Sequence, residues 1–453
     1  MRAIAALTLT CLSLSIASAA AQTVPSFVNS EVPNLVDTYK DIHEHPELSH
    51  FEARTSHILA EAERAAGYTV TERVGVYPDG SQAYGIVGIL KNGPGPTLMI
   101  RADMDALPIV EETGVPYASH VIGKTKDGVT TGVMHACGHD VHTTVMIGTA
   151  RAMAAMKTQW HGTLILVGQP SEETIDGAKA MLADHLYERF GRPDRIIGLH
   201  DTNGLPAGEV GIRSGPSAAS STSIDVVIRG IGGHGAYPQG GRDPITLAAL
   251  YITQIQTIVS REEDPQDPTV VTVGHIEGGT KRNIIPDQVK LELTTRSFSD
   301  KSRDTVIKGL EQMAAGITAS AGLPPDKAAT VTVLKDESTP VLYNDPAQTA
   351  IVRADLVKAL GADNVIDIPR GMASEDVGVF ALPNHDIPLT YFILGAMDPV
   401  KLAAAHAAGK ELPGPHTSRF EPLPEPTLRT GVTAMTSVAI DLLQPSTPTA
   451  GGQ

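Results

Sequence analysis

An α/β fold on a mixed, largely parallel sheet, interrupted by a separate α+β unit, is predicted by three observations. Short apolar runs alternate with helix-length segments through the first and last parts of the chain. Ionisable residues gather just after those apolar runs. The middle of the chain instead reads strand–helix–strand–strand–helix–strand, the split-βαβ or ferredoxin-like order.

The elements follow in turn. Val32, Leu35, Val36, Tyr39 and Ile42 keep helical spacing up to His45-Pro46, and a second helix over 51–66 stops at Gly67. Apolar runs at 84–90 and 97–100 read as strands. A helix after Thr143 buries Val145, Met146, Met153 and Met156, and 163–167 and 196–199 are further buried strands. The middle unit takes strands at 223–229, 269–275, 289–297 and 329–334, with helices at 244–260 and 300–321. The first layer resumes with a helix at 346–360, a strand at 389–394 and a helix at 426–443. The expected division is 22–215 and 341–444 for the main body, 216–340 for the insertion, and a disordered tail at 445–453.

The 453 residues are 42% apolar and 19% charged, enough core material for two domains. The net charge of −16, with no basic run, argues against binding a nucleic-acid backbone. Aromatic content of 4% argues against an aromatic-lined polymer groove.

Residues 1–21, MRAIAALTLTCLSLSIASAAA, carry one charge, an apolar stretch and a small-residue end. This is a signal-peptide pattern with a cut after Ala21, and it predicts an exported protein, periplasmic or secreted. No later segment is apolar enough for a membrane span, so none is expected after processing. Two cysteines make no disulfide framework, and removing the leader leaves Cys137 alone. An exported lone thiol survives by burial or metal ligation.

The strand at 97–100 is followed by Arg101, Asp103 and Asp105, the strand at 163–167 by Glu172 and Glu173, and the strand at 196–199 by His200. Parallel strands bring such ends to one edge. Between the first two lies MHACGHDVH, which places His135, Cys137, His139, Asp140 and His142 close together. Thiolate and imidazole suit zinc or a comparable transition metal, and carboxylates complete the set. One carboxylate of the Glu172-Glu173 pair is expected to ligate and the other to accept a proton from water.

RADMDALP (101–108), GVMHACGHDVH (132–142), QPSEE (169–173), GGHGAYP (232–238), REEDPQDPTVVTVG (261–274) and RNIIPD (282–287) together resemble the dimetal aminoacylase and carboxypeptidase family. HPELS (45–49), SED (374–376) and HTSRF (416–420) fit as well. The branch most similar holds the hippurate, N-acyl-amino-acid and auxin-conjugate amidohydrolases. The resemblance implies a catalytic domain with an inserted lid that pairs two copies into a homodimer. It implies two divalent cations (zinc, manganese, cobalt or nickel) held by Cys137, His139, Glu173, His200 and His416. Glu172 matches the general base, and His234 the lid histidine that stabilises the oxyanion in a neighbouring site. Asn283 and Arg296 lie where the lid contacts substrate and its carboxylate. Asp103 and Asp105 are expected to orient the ligand imidazoles, while His135 and His142 are read as structural.

Two departures stand out. Ser171 replaces the family's usual alanine before the glutamate pair. The stretch 398–415, which includes His406, is longer than usual before His416. The expected activity is cleavage of the amide bond of N-acyl amino acids. The alternatives are a dipeptidase or carboxypeptidase on the same scaffold, and a non-catalytic metal- or acyl-amino-acid-binding protein.

Overall fold

The computed structural model describes residues 22–444; the expected leader at 1–21 and tail at 445–453 lie outside the described residues. An eight-stranded sheet runs in the order Thr69–Val76, Gln82–Asn92, Gly162–Gln169, Thr97–Asp103, Arg195–Pro206, Leu389–Met397, Val210–Ile212, Val365–Asp367. The four strands from Gly162–Gln169 to Leu389–Met397 are mutually parallel. Gln82–Asn92 and Val210–Ile212 flank them antiparallel.

The central strands read as unbroken apolar runs because both faces are covered. Leu164 and Leu166 face one core with Leu35, Val145 and Val432. Ile165 and Val167 face the other, with Met99, Met181 and Phe380. On the first face the helices Val24–Glu44, His139–Ala155 and Pro424–Leu442 pack on one another. His139–Ala155 is buried on nearly every side, which explains its lack of a polar stripe.

Two strands are longer than the apolar pattern predicts. Thr97–Asp103 continues through Arg101 and Asp103, which pair in register with Val167 and Gln169. Arg195–Pro206 carries His200 within it. Ladder pairing extends both strands past the point where hydrophobicity stops, and in Thr97–Asp103 burial goes with it. The 398–415 stretch forms a helix, Pro399–Ala407, with Asp398 accepting from the Val400 and Lys401 amides.

The second sheet is antiparallel, in the order Val270–Glu277, Gln288–Ser297, Ser220–Arg229, Thr330–Thr339. Helices Pro244–Thr257 and Asp300–Ser320 cover one face, packing Tyr251 and Leu310 against Ile224, Val226 and Leu291 in one core. The other face is polar, with Lys290 Nζ between Asp225 (3.0 Å) and Glu292 (2.9 Å). Among the described residues no helix is long and apolar enough to cross a membrane.

A buried histidine ties the first helix to the start of His139–Ala155. His43 Nδ1 lies 2.6 Å from Asp140 Oδ2, and Nε2 lies 3.1 Å from Glu111 Oε1. Carboxylates only accept, so both ring nitrogens donate and the ring is an imidazolium. Burial opposes that charge, but Asp140 and Glu111 overcome it and raise the pKa from 6.5 to about 9. A raised folded-state pKa gives stability that is complete below about pH 6.5 and lost as pH rises through 9. His43→Gln is therefore expected to cost about 2–3 kcal/mol at pH 6 and far less at pH 10. Urea unfolding of both proteins at the two pH values measures it; an equal loss at both would discard the imidazolium.

Candidate metal centre

The five positions expected to ligate come together from separate parts of the chain. Cys137 Sγ is 3.4 Å from His200 Nε2 and 3.2 Å from His416 Nε2. His416 Nε2 is 3.4 Å from Glu173 Oε1. His139 Nε2 stands 4.0 Å from both Glu172 Oε2 and Glu173 Oε1. Cys137 belongs to two of the resulting donor groups, one with His139 and His200, the other with Glu173 and His416.

These donors fit divalent cations. His139 Nδ1 donates to the Asp105 carbonyl (2.8 Å) and His200 Nδ1 to the Asp201 carbonyl (2.6 Å), so each ring turns an Nε2 lone pair inward. His139 Nε2 and Glu173 Oε1 are buried without a hydrogen-bond partner. Buried lone pairs left this way are costly, and a cation between them removes the cost. Burial and the Glu173 carboxylate push the Cys137 thiol up; a cation acts in the opposite sense and favours the thiolate. One thiol, three imidazoles and a carboxylate, shared through Cys137, suit a pair of borderline-soft metals.

Two buried aspartates set the frame. Asp105 accepts from the Glu172 amide (3.1 Å), the Glu173 amide (3.0 Å) and the Ser49 hydroxyl (2.6 Å). Its Oδ1 is also 3.2 Å from His139 Nδ1, so one carboxylate aligns the His139 ring and the glutamate pair. Burial raises the Asp103 carboxyl, but the Arg101 guanidinium and the hydrogen bond from His142 hold it well below the usual range. Asp103 receives His142 Nδ1 at 2.5 Å, and His142 Nε2 accepts from the Asp201 amide at 3.0 Å. With both nitrogens engaged, His142 serves as a strut.

Backbone strain collects here. His50 (φ 71°), Ser171 (φ 55°) and His416 (φ 65°) are non-glycine residues in the left-handed region, where each costs about 1–2 kcal/mol. Gly138, which starts the ligand-bearing helix at φ 80°, has no alternative. A Cβ there would sit 2.2 Å from an Asp201 carboxylate oxygen.

Burial raises the Glu172 carboxyl well above its usual range, and the Glu375, Glu173 and Asp376 carboxylates add to the shift. Glu375 and Asp376 are held by Arg101, a wholly buried residue that also bonds Asp103.

His234, Asn283 and Arg296 stand apart. Gly233–His234 bridges Ile284–Ile285, which brings His234 beside Asn283. His234 is exposed; its Nδ1 accepts from the Ala236 amide (3.0 Å), leaving Nε2 free. Arg296 is half-buried in Gln288–Ser297, and burial lowers its pKa. Among the described residues no hydrogen bond or ion pair joins these three to the Cys137 cluster within one chain.

The sequence reading passed over Glu52, Asp201 and the Arg101–Glu375–Asp376 linkage. The signals were slight: Glu52 lies three residues past HPELS, Asp201 next to His200, and Glu375-Asp376 within SED.

Residues 99–412 match the model of peptidase family M20/M25/M40. An IAA-amino acid hydrolase of Arabidopsis thaliana is 37% identical over 355 residues, covering 78% of this chain and 76% of the relative. A hippurate hydrolase of Campylobacter jejuni is 35% identical over 344 residues, covering 75% and 82%. Among solved structures, a dinuclear metal binding peptidase of the M20 family from Bacillus subtilis has a TM-score of 0.72 at 27% identity. That match covers 92% of this chain and 99% of that one. With the family model spanning most of the fold and all the clustered donors except His416, the chain belongs to peptidase family M20/M25/M40.

Proposed function

We propose that this M20-family hydrolase of amide C–N bonds is an exported, dimetal amidohydrolase that cleaves N-acyl amino acids, with Glu172 as general base. The observation that carries the reading is the convergence of Cys137, His139, Glu173, His200 and His416, with His139 Nε2 and Glu173 Oε1 buried without a partner, beside a second buried carboxyl, Glu172. Cys137, His139, Glu173, His200 and His416 would hold the two cations. When bound, these supply Lewis acidity, polarising the scissile carbonyl and acidifying water. Glu172 takes the proton of the attacking water and delivers it to the leaving amine nitrogen. Asp105 fixes the glutamate pair, and Asp103 steadies His142 and the ligand helix. Asn283 and Arg296 receive the substrate and its carboxylate, and the free Nε2 of His234 meets charge that develops only in the transition state.

In this reading 22–215 and 341–444 form the catalytic body and 216–340 the lid. Because His234 reaches no ligand in its own chain, it serves the site of a second copy, which makes the enzyme a homodimer. Exposed Leu250 (55%) and Ile276 (53%), on the lid's outer helix and edge strand, support that pairing. Export rests on the 1–21 leader, and ligation protects the remaining thiol.

The test is a panel of N-acyl amino acids, hippurate included, and dipeptides, given to the metal-loaded mature protein and followed by amine release with and without chelator. Cleavage that favours acyl amino acids and is abolished by chelation is expected. Preference for dipeptides would move the activity to a peptidase. No cleavage by the loaded protein would overturn the proposal in favour of a binding protein.

A further inference from the structure

We propose that Glu52 is a positioning residue for Glu172, holding the left-handed turn at Ser171 through a single carboxylate oxygen. The inference rests on the general-base reading of Glu172.

Glu52 stands at the start of helix Ala53–Ala65 and is fully buried. A glutamate there would ordinarily be read as a helix cap or a solvated charge. It is neither. Its side chain caps no amide of its own helix. The amides of Arg54 and Thr55 go instead to Glu47, at 2.9 and 2.7 Å. That leaves the Glu52 carboxylate for another task.

Glu52 Oε1 accepts three hydrogen bonds: from the His50 amide (3.0 Å), the Ser171 amide (2.8 Å) and the Ser171 hydroxyl (2.9 Å). The Ser171 Oγ accepts from the His50 amide (2.9 Å) and, with its own hydrogen given to Glu52, from the Tyr77 hydroxyl (2.6 Å). His50 and Ser171 are two of the left-handed non-glycine residues around the site. One oxygen therefore pins both.

The consequence falls on the next residue. The φ of Ser171 sets the direction in which the chain leaves toward Glu172 and Glu173. Asp105 holds those two amides, and Glu52 holds the one before them. Releasing the upstream end lets Ser171 relax toward an ordinary φ and strains the longer of the two Asp105 bonds, that to the Glu172 amide, so the base turns while the Glu173 amide stays held. The loss should appear in the chemical step before it appears in substrate binding or metal content.

Acceptor geometry, not charge, is the quantity that matters, and this gives an ordering of variants. Glu52→Gln keeps an oxygen at the Oε1 position in an uncharged side chain. Glu52→Asp keeps the carboxyl group and withdraws the oxygen by a methylene. In the metal-loaded mature enzyme, assayed on the best substrate of the panel, Glu52→Asp is expected to lower kcat about 30- to 100-fold. KM should stay within about threefold and the metal content should match wild type. Glu52→Gln is expected to keep kcat within about fivefold of wild type. The reverse order, with Asp active and Gln crippled, would overturn the proposal, as would a Glu52→Asp loss confined to KM or accompanied by lost metal. If Glu52→Asp does not fold, a crippled but folded and metal-loaded Glu52→Gln overturns it, and an active one supports it. Glu172→Gln measured alongside separates the two readings: full activity there removes the general base itself, whereas a dead Glu172→Gln beside an unimpaired Glu52→Asp removes only the positioning role.

Discussion

Glu172→Gln is expected to lower kcat by about 10³-fold, the middle of the range for losing a general base. The substitution keeps the volume and the backbone bond to Asp105 but supplies no group able to take a proton from water at neutral pH. Cys137, His139 and His200 form one donor group and Cys137, Glu173 and His416 another, both without Glu172, which joins His139 and Glu173 in a third. Metal content should therefore stay at the wild-type ratio, and KM should change little. Elemental analysis of the purified variant beside its steady-state kinetics decides the matter. Activity within tenfold of wild type at full metal content would remove Glu172 from the base role. Loss of metal together with activity would make it a ligand instead.

Arg101→Met is expected to destabilise the fold by about 3–5 kcal/mol, the range for breaking a buried ion pair from one side. That is a large share of the stability of an ordinary domain. Arg101 bonds Asp103 at 2.6 Å, Glu375 at 2.8 Å and Asp376 at 2.9 Å, and its Nε donates to Gln169 at 2.7 Å. Removing the guanidinium leaves three buried carboxylates facing one another. Lysine carries the charge but lacks the planar fork, so Arg101→Lys should fall between. Burial already raises Asp376 to about 7, with Arg101 pulling it down and Glu375 pushing it up. Without Arg101 the acids take up protons more readily, so the destabilisation should shrink as pH falls from 8 to 5. Urea midpoints across that range provide the check; a loss that grows toward acid would rule out this origin.

The convergence of strand ends was legible because a parallel sheet places them on one edge, and apolar runs mark where strands lie. Where each strand stopped was not. Asp103 and His200 lie inside their strands, paired with neighbours from distant sequence, and hydrophobicity carries no trace of such pairing. Glu52 and His43 were hidden for a related reason. Each reads locally as a solvated helix residue, and its burial depends on Ser171 or Asp140 far along the chain. The Pro399–Ala407 helix was announced by Asp398-Pro399, but its alanine-rich body has no apolar stripe to separate it from a loop. His234, Asn283 and Arg296 came only from the family resemblance, since nothing in their spacing or surroundings ties them to the cluster.

The strand order has a further consequence for how the protein is made. Leu389–Met397 lies directly beside Arg195–Pro206, yet the whole second sheet is synthesised between them. The second sheet can close once Thr330–Thr339 has emerged, while the main sheet still shows an unpaired apolar edge. His416, the last donor, arrives after that edge is covered. A chain ended early by a stop codon or a protease cut therefore yields no partial enzyme, but an exposed strand with an unfinished donor set, a substrate for aggregation and disposal.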